Sequence, residues 1–400
     1  MHVVKLLHDL LDNACTTIDR RIVRTLFSAV EALTRCRRLS ISGLGRSLDR
    51  QASVKNSIKC MDRLFGNATL HEKNAIAYQA MCHLLLKGNR RPVIIVDWSG
   101  LTACGTFHFL SASVVVKGRS FTLYSQAYSL KEYMKEKTHR DFLNVLCSLL
   151  PKGSKPIVIT DAGFRNTWFR AVSDFGWNYI GRVRNRTYYC QYDLKIWLPI
   201  KSLFEQATQK AKYVSRVFLA RESKFDCHLY LMKKRNMNRI KRNISGKKAQ
   251  CSVSKKHARS AREPWLIASS FSPKEMPAAS IMRLYKKRMQ IEEVFRDLKN
   301  MRNGLGLRDC RSFRVERLSV ALLIGALAMF VLWIFGITVE QKKQHYSFQS
   351  NTIRNRSVLS TFMIGWQVLM RKQIILTKKE CLLALKYIAS IAATGDNYAE

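Results

Sequence analysis

One uncharged segment, Leu318 to Val339, limits most strongly how this chain can fold. It is long enough to cross a bilayer as a helix, for which about 20 predominantly apolar residues suffice. A helix that is apolar on every side is also what a large domain buries at its centre. The segment is single, contains Gly325 and Gly336, and follows a stretch that is typical of the middle of a folded domain. We therefore predict a buried core helix, with a membrane span as the alternative.

The charge of the chain narrows the class of partner. The sequence has 69 Lys and Arg against 28 Asp and Glu, a formal net charge of +41. Such a charge repels itself unless a polyanion offsets it, and nucleic acid is the obvious polyanion. The basic residues are spread from Lys5 to Lys386, unlike the juxtamembrane cluster that binds an anionic membrane. With 47% apolar content, we predict a globular protein that binds nucleic acid and no membrane.

The cysteines and the N-terminus indicate the compartment. The eleven cysteines are scattered from Cys15 to Cys381, with no Cys-x-x-Cys pair. This pattern predicts neither a zinc site nor a disulfide framework and fits a reducing cytosol. The opening residues lack the basic, apolar and small-residue regions of a signal peptide. We therefore predict a cytoplasmic protein.

Residues 1–85 are predicted to be helical, because apolar residues recur at helical spacing through Val23–Leu33 and Ile58–Phe65. Between them, Leu39–Leu48 and then Ser53–Lys59 have the length and glycine placement of a turn between two short helices. The second of these helices is predicted to carry a basic face made of Arg46, Arg50, Lys55 and Lys59. A helix-turn-helix-like DNA reader and ordinary helical packing both fit this degenerate pattern.

Two strongly apolar strands are each predicted to end in an aspartate. Val93–Val96 is a run of β-branched residues that delivers Asp97, and Ile157–Thr160 delivers Asp161. This is the layout of a mixed sheet whose strand ends carry a polar site. Asp161 precedes Ala-Gly, so a turn or helix cap is its alternative role. No turn follows Asp97 until Gly100.

Further elements lie around these strands. Phe107–Val116 and Phe121–Tyr128 alternate in polarity around Lys117-Gly-Arg-Ser, which predicts a hairpin. A helix is predicted over 135–150, and strands over Trp177–Arg184, Tyr213–Leu219, Cys227–Leu231 and Trp265–Ser269. The very basic segment 233–262 is either a disordered loop or a flap that contacts phosphates. The last helices are predicted over 351–370 and 378–393, for DNA contact or dimer packing.

The stretch Tyr285–Lys299 lacks Gly and Pro, so a single helix is predicted. At about 100° per residue, one polar stripe contains Tyr285, Arg288, Glu292 and Lys299. A neighbouring core-facing arc contains Leu284, Ile291, Val294, Phe295 and Leu298. Glu293 points elsewhere. A carboxylate bracketed by an aromatic hydroxyl and two cations suits a site for a metal ion and phosphates, and a solvated charged face is the alternative.

With these acids, the chain resembles the DDE transposases of bacterial insertion sequences, and more narrowly the insertion-sequence-four family. The Tyr-x2-Arg-x3-Glu-x6-Lys signature of that family is matched at all four positions of the polar stripe. Further matching motifs are Val96-Asp-Trp-Ser, Gly118-Arg-Ser-x-Thr-Leu-Tyr, Asp161-Ala-Gly-Phe, Glu263-Pro-Trp, Lys287-Arg-Met-Gln-Ile-Glu-Glu and Gly304-Leu-Gly-Leu-Arg. The resemblance covers most of the chain.

The resemblance implies an α/β fold with a ribonuclease-H-like mixed sheet and flanking helices. The catalytic domain would comprise 90–187 and 263–340, interrupted by a β-rich basic insertion at 188–262. A helical DNA-end-binding domain would occupy 1–85, and a C-terminal helical region 341–400. Asp97, Asp161 and Glu292 would be the catalytic carboxylates and hold two divalent cations, Mg²⁺ or in its place Mn²⁺.

The reaction that the resemblance implies is cut-and-paste transposition. One strand is nicked, the freed 3′-hydroxyl closes a hairpin, the hairpin is hydrolysed, and the same hydroxyl joins target DNA. Tyr285, Arg288 and Lys299 would bind phosphates around flipped nucleotides, with Trp265 and Met289 as stacking or wedge residues. Core packing is the alternative role for both. The partners would be inverted-repeat ends, target duplex and a second copy of the chain. A nuclease that does not join DNA, and an inactive DNA-binding derivative, are the alternative functions.

Overall fold

The structure is a computed structural model that describes residues 3–11, 14–102, 104–116, 118–184, 187–192, 194–234, 251–252, 263–353, 355–371 and 374–393. These residues form two compact units. Unit 1 holds the described residues of Met1–Ser154 and Met289–Gly395, and unit 2 holds those of Lys155–Arg288. The turn residue Lys117 and most of the basic segment 233–262 lie outside the described residues. The domain boundaries inferred from the sequence stay predictions.

The helices of the described residues are, in chain order, α1 (Val3–Leu11), α2 (Arg20–Cys36), α3 (Ile41–Arg46), α4 (Val54–Phe65), α5 (Ala68–Leu85), α6 (Glu136–Leu149), α7 (Asn166–Asp174), α8 (Ala278–Lys286), α9 (Met289–Lys299), α10 (Val315–Gln341), α11 (Thr361–Arg371) and α12 (Lys378–Ala393). The strands are β1 (Val93–Gly100), β2 (Phe107–Val115), β3 (Ser120–Ser129), β4 (Ile157–Thr160), β5 (Asn178–Val183), β6 (Tyr188–Gln191), β7 (Trp197–Pro199), β8 (Lys212–Leu219), β9 (Phe225–Met232) and β10 (Trp265–Ser269). Apart from the first strand, which continues past Val96 to Gly100, the predicted strands and the helices at 135–150 and 378–393 are confirmed to within two residues.

Local capping explains where the N-terminal helices begin. The side chains of Asp19, Ser40, Ser53 and Asn67 each accept a hydrogen bond from a backbone N–H in the first turn of α2, α3, α4 and α5. Such caps satisfy backbone donors that have no partner within the helix. The predicted helical character of this region is therefore confirmed.

The basic face predicted for the second short helix is only partly correct. α3 ends at Arg46 and Arg50 lies in the connection, so only Lys55 and Lys59 belong to α4. The reason is that Ser53 caps α4, which therefore cannot include the earlier arginines. All four basic side chains are exposed.

In unit 1, β1, β2 and β3 form an antiparallel meander with β2 in the centre. Gly100 of β1 lies opposite His108 of β2, and Val115 of β2 lies opposite Ser120 of β3. The β2–β3 pair confirms the predicted hairpin. A register shift at Ala112 and Ser113 interrupts the regular pairing of that hairpin.

The long helix α10 is the core of unit 1. Every residue from Leu318 to Val339 is buried, and the helix packs against α2, α5, α11, α12 and β3. Among the described residues, α10 alone is long and apolar enough to span a membrane, and its most apolar window is 100% buried inside the protein. The prediction of a buried core helix is confirmed.

Two glycines allow α10 and α11 to cross at close range. A Cβ atom added at Gly336 would lie 2.0 Å from the carbonyl oxygen of Thr361, and one at Gly365 would lie 1.8 Å from that of Leu332. α11 begins at Thr361, ten residues later than predicted, because Ser360 caps it by accepting a hydrogen bond from the N–H of Met363.

In unit 2 the strand order is β4-β5-β10-β9-β8-β6-β7. β4 and β5 are parallel, whereas β10 is antiparallel to both β5 and β9. Strands β6 to β9 fall within the predicted β-rich insertion. The mixed parallel and antiparallel pairing, flanked by helices, is the α/β, ribonuclease-H-like class predicted from the sequence.

Candidate active site

The predicted site residues are divided between the two units. Unit 1 contains Asp97, Met289, Glu292 and Lys299, whereas unit 2 contains Asp161, Trp265, Tyr285 and Arg288. Each group has a distinct local geometry.

The prediction of one continuous helix over Tyr285–Lys299 is wrong. α8 ends at Lys286 and α9 begins at Met289. The N–H groups of Lys287 and Arg288 bond to carbonyls three residues back rather than four, at 3.0 and 3.1 Å, which tightens and ends the helix. The polar stripe is therefore split between α8, the connection and α9. The predicted core-facing arc is confirmed, because all five of its residues are buried.

Asp97 lies inside β1, not at the end of the strand as predicted. β1 continues to Gly100 because its pairing with β2 extends that far. The Asp97 side chain is 9% exposed, and its Oδ1 accepts a hydrogen bond from the N–H of Trp98 at 2.9 Å. A carboxylate this enclosed is expensive to ionise unless it is paired or coordinates a cation. The Asp97 carboxylate is therefore held inside β1 by burial and by this backbone contact.

The residue after Asp97 anchors this part of β1. The indole Nε1 of Trp98 donates a hydrogen bond to Nε2 of His139 at 3.0 Å. The rings of Tyr128 and Tyr133 pack edge-on against Trp98, with centroids 5.4 and 5.0 Å away. Burial lowers the pKa of His139 to about 4, so the imidazole is neutral at physiological pH and can accept the indole proton.

α9 packs on the meander that holds Asp97. It contacts β1 and β3, and the ring of Phe295 lies edge-on to Phe109 of β2 at 5.0 Å. The same packing leaves Glu292 exposed. Met289, at the start of α9, is 49% exposed, so it does not fill a gap in the core.

Lys299 connects α9 to β1. Its Nζ contacts Oγ of Ser99 and lies 5.2 and 5.6 Å from the ring centroids of Phe109 and Phe295. Burial, with Arg308 nearby, lowers the pKa of Lys299 to about 8, while Asp97 acts in the opposite direction. The ammonium group is thus held close enough to Asp97 to feel its charge. Ser99 is a contact that sequence reasoning missed, although it stands in the Val-Asp-Trp-Ser motif.

In unit 2, Asp161 follows β4 directly, as predicted. Its Oδ1 accepts a hydrogen bond from the N–H of Gly163 at 2.7 Å, which is the local turn contact of an Asx turn. This contact occupies one carboxylate oxygen, and an ionised carboxylate can accept several further contacts.

Tyr285 is the centre of a polar cluster in unit 2. It is 4% exposed, and the half-buried Trp265 lies edge-on to it with centroids 5.0 Å apart. Burial raises the pKa of Tyr285; Arg288 and Arg182 lower it, and Asp161 raises it. These three charged groups therefore lie around Tyr285. Lys234 adds a cation 5.4 Å from the Trp265 ring centroid.

Arg182 is a second residue that sequence reasoning missed. It lies on β5, and its Nη2 donates weak hydrogen bonds of 3.4 Å to the carbonyls of Glu263 and Pro264. Its Nε is buried without a hydrogen-bond partner among the described residues. The sequence does carry a signal for Arg182, which is a charged residue inside the otherwise uncharged strand Tyr179-Ile-Gly-Arg-Val. Alternation of polar and apolar residues along the strand does not by itself explain a charge at this position.

Metal-ligating side chains are sparse within each unit. Neither unit contains, among its described residues, a group of three or more His, Cys, Asp or Glu that could hold a metal ion. The carboxylates in question are hard oxygen donors of the kind that Mg²⁺ prefers.

Comparison with known protein families gave a match to this part of the chain. The family model described as a transposase DDE domain matches residues 88–330. This range includes the aspartates, Glu292 and the whole Tyr-Arg-Glu-Lys signature. A search of curated proteins found no match.

Proposed function

This chain belongs to the transposase DDE domain family, and we propose that it is the cut-and-paste transposase of a bacterial insertion sequence. One observation carries the proposal: α9, with Glu292 and Lys299, packs against β1, with Asp97. The helix that carries the Glu292 carboxylate and the Lys299 ammonium therefore lies against the strand that carries the buried Asp97 carboxylate. Within the family, the signature supports the insertion-sequence-four group and a likeness to the transposase of the tetracycline-resistance composite transposon.

The catalytic residues in this proposal are Asp97, Asp161 and Glu292. They would hold two Mg²⁺ ions, with Mn²⁺ as a substitute, because carboxylates are the hard oxygen donors that Mg²⁺ prefers. When bound, the metals would activate a water or 3′-hydroxyl nucleophile and stabilise the leaving oxygen of the phosphodiester. Ser99 and Phe109 hold the Lys299 ammonium beside this strand, where it can bind a phosphate oxygen.

The steps of the proposed reaction follow the order that the resemblance to the insertion-sequence-four family implies. Nicking frees a 3′-hydroxyl, which closes a hairpin on the opposite strand, and after hairpin hydrolysis the same hydroxyl joins target DNA. Tyr285, Arg288 and Lys299 bind phosphates near the flipped terminal nucleotides, and Trp265 and Met289 contact the unstacked bases. The protein acts as a homodimer on two inverted ends in the bacterial cytoplasm, associated with the nucleoid. The helical residues 1–85 contribute to binding of the ends.

A strand-transfer assay tests the function directly. Purified protein is incubated with duplexes that carry the element's own inverted repeats and with a supercoiled target, with and without Mg²⁺. We expect nicks, hairpins and joined products only with Mg²⁺. Cleavage without joining would indicate a ribonuclease-H-like nuclease, and binding without cleavage would indicate an inactive derivative. Either result would contradict the proposal.

The pH dependence of DNA binding should report the Lys299 contact. The folded pKa of about 8 lies below the usual lysine value, so the ammonium loses its charge as pH rises through 8, whereas a guanidinium does not. Between pH 7 and 9.5, wild-type affinity for end DNA should fall roughly tenfold more than that of Lys299→Arg. Gel shifts at constant ionic strength measure this difference.

A bound phosphate stabilises the charged ammonium and raises the pKa of Lys299 in the complex. The readout is therefore the difference in pH dependence between wild type and Lys299→Arg, and not the pH at which affinity is half lost. Lys155→Arg, which changes another lysine outside the site, serves as the control. Parallel pH profiles for wild type and Lys299→Arg would exclude Lys299 from DNA contact.

Trp265→Ala should separate nicking from hairpin formation. The ring stands edge-on to Tyr285 beside Lys234, and stacking of a base on an aromatic ring is worth about 1–3 kcal/mol. We expect nicking near the wild-type rate and hairpin yield lowered about tenfold on denaturing gels. Trp197→Ala, at another half-buried tryptophan of unit 2, should leave both unchanged. Normal hairpin yield from Trp265→Ala would remove this residue from the site.

A further inference from the structure

A set of polar contacts joins the β2–β3 turn to α9 within unit 1. The guanidinium of Arg119 donates from Nε to Asp297 at 3.1 Å and pairs through Nη1 with Glu293 at 3.2 Å. Before the turn, the N–H of Val116 donates to the side-chain oxygen of Gln290 at 3.2 Å. Residues on either side of the turn therefore contact three polar residues of α9.

The spacing of these residues places them along one side of the helix. Gln290, Glu293 and Asp297 are three and four residues apart, and residues at this spacing lie above one another on a helix. Glu292 is one residue from Glu293, so its side chain leaves the helix about 100° away. The residues around the turn therefore contact one side of α9, whereas Glu292 is exposed on another side.

Arg119 makes the most enclosed contact of this set. Asp297 is 7% exposed, and an ionised carboxylate at such depth is tolerated only when it is paired. Burial raises the pKa of Asp297, and Arg119 lowers it. Glu293 is less enclosed and is also paired with Arg296, whose side chain is 57% exposed. The Arg119–Asp297 pair is thus the inner contact and the Glu293 pair the outer one.

Arg119 adds a directional contact to a helix that otherwise depends on apolar packing and on the Lys299–Ser99 contact at its far end. α9 has 11 residues, and isolated helices of that length are marginal in water. It begins directly after the break at Lys287 and Arg288, so no preceding helical turn holds it. Its apolar side packs on β1 and β3, but apolar contacts are not directional. The hydrogen bonds of a guanidinium that pairs with two carboxylates are directional.

We propose that Arg119 is a positioning residue for Glu292: through Asp297 and Glu293 it sets the rotation and the axial position of α9. This assignment rests on the proposed function, in which Glu292 is a metal ligand. It also gives roles to Glu293 and Asp297. Both lie between Glu292 and Lys299, at positions where the signature specifies no residue type. Arg119 touches neither DNA nor metal in this role and acts only through the helix.

A positioning role predicts a particular pattern of defects. Displacing a ligand weakens metal binding, and loss of a contact that orients a ligand typically costs about 10- to 100-fold in metal affinity or activity. For Arg119→Gln we expect Mn²⁺ binding, followed by loss of the free-ion paramagnetic resonance signal, to weaken about tenfold. The Mg²⁺ concentration for half-maximal nicking should rise by a similar factor. Gel-shift affinity for end DNA should stay within about twofold.

Two further variants keep the assignment falsifiable if Arg119→Gln fails to fold. Arg119→Lys retains the charge without the forked geometry and should show an intermediate shift in metal affinity. Asp297→Asn preserves shape but removes the charge of the inner contact and should weaken Mn²⁺ binding in the same way. Arg296→Gln is the matched control, since it removes a partner of Glu293 and leaves the Arg119–Asp297 pair in place. Its metal affinity should equal that of wild type.

Other outcomes would overturn the assignment. Lower thermal stability of Arg119→Gln with unchanged Mn²⁺ affinity would mean that Arg119 only stabilises the fold. Weaker DNA binding with unchanged Mn²⁺ affinity would mean that it contacts DNA. Failure of the proposed function is separately visible, because wild-type protein would then neither bind Mn²⁺ specifically nor nick end DNA.

Discussion

Replacing Asp97 with Asn or Glu292 with Gln is expected to lower cleavage of an end-containing duplex by about a thousandfold or more. A metal ligand of this kind supports several kcal/mol of transition-state stabilisation, and about 1.4 kcal/mol corresponds to a factor of ten. The amides keep the size of the side chains but lose their charge. Binding of the same duplex should remain measurable by gel shift, because neither residue is assigned to DNA contact.

The local structure indicates that these substitutions remove the charge of the carboxylates without disturbing the fold. Asn at position 97 can still accept the hydrogen bond from the N–H of Trp98, and Glu292 is exposed, so the fold should not change. Asp161→Asn should behave in the same way, because the amide oxygen can keep the turn contact with Gly163. Glu316→Gln, at an exposed acid in the first turn of α10, is the control. Wild-type cleavage by either the Asp97 or the Glu292 variant would refute the assignment.

Gly336→Ala and Gly365→Ala should destabilise unit 1. Each added methyl would overlap a backbone carbonyl oxygen, of Thr361 or Leu332, and backbone atoms cannot move aside as a flexible side chain can. Overpacking of this kind costs roughly 1–3 kcal/mol, occasionally more, which lowers Tm by about 2–12 °C for a unit of this size. Differential scanning fluorimetry measures the change.

The matched control for these glycines is Gly100→Ala. A Cβ atom at Gly100 would meet nothing within 4 Å, so its Tm should stay close to that of wild type. If all three variants melted together, the close crossing of α10 and α11 would not contribute to stability.

Much of the fold was predictable because it depends on local pattern. Alternating polarity in β2 and β3, and the apolar runs of β4 and β10, gave strand positions within one or two residues of those observed. Asp161 was correctly placed after its strand. The buried apolar residues of α9 were also predicted, because helical periodicity identifies the side that avoids water.

Several errors and omissions come from contacts between residues far apart in the chain, whereas the starts of α4 and α11 follow from local caps at Ser53 and Ser360. Pairing with β2 carries β1 past Asp97. Arg119 meets Asp297, and Ser99 meets Lys299, across well over a hundred residues. No spacing rule reports such pairs, since spacing describes only neighbours on the same helix or strand.

The sequence by itself determined the family, the apolar core helix and the residue types available for metal and phosphate chemistry. The family depends on motifs and their spacing, whereas the core helix and the available residue types depend on composition and short-range periodicity. Only the tertiary structure decided that the signature is divided between two helices, with Tyr285 enclosed in one unit and Glu292 exposed on another helix. Propensity favours a helix throughout this stretch, but the N–H groups of Lys287 and Arg288 bond three residues back and break it there. Packing on each side, rather than propensity, stabilises the two shorter helices that result.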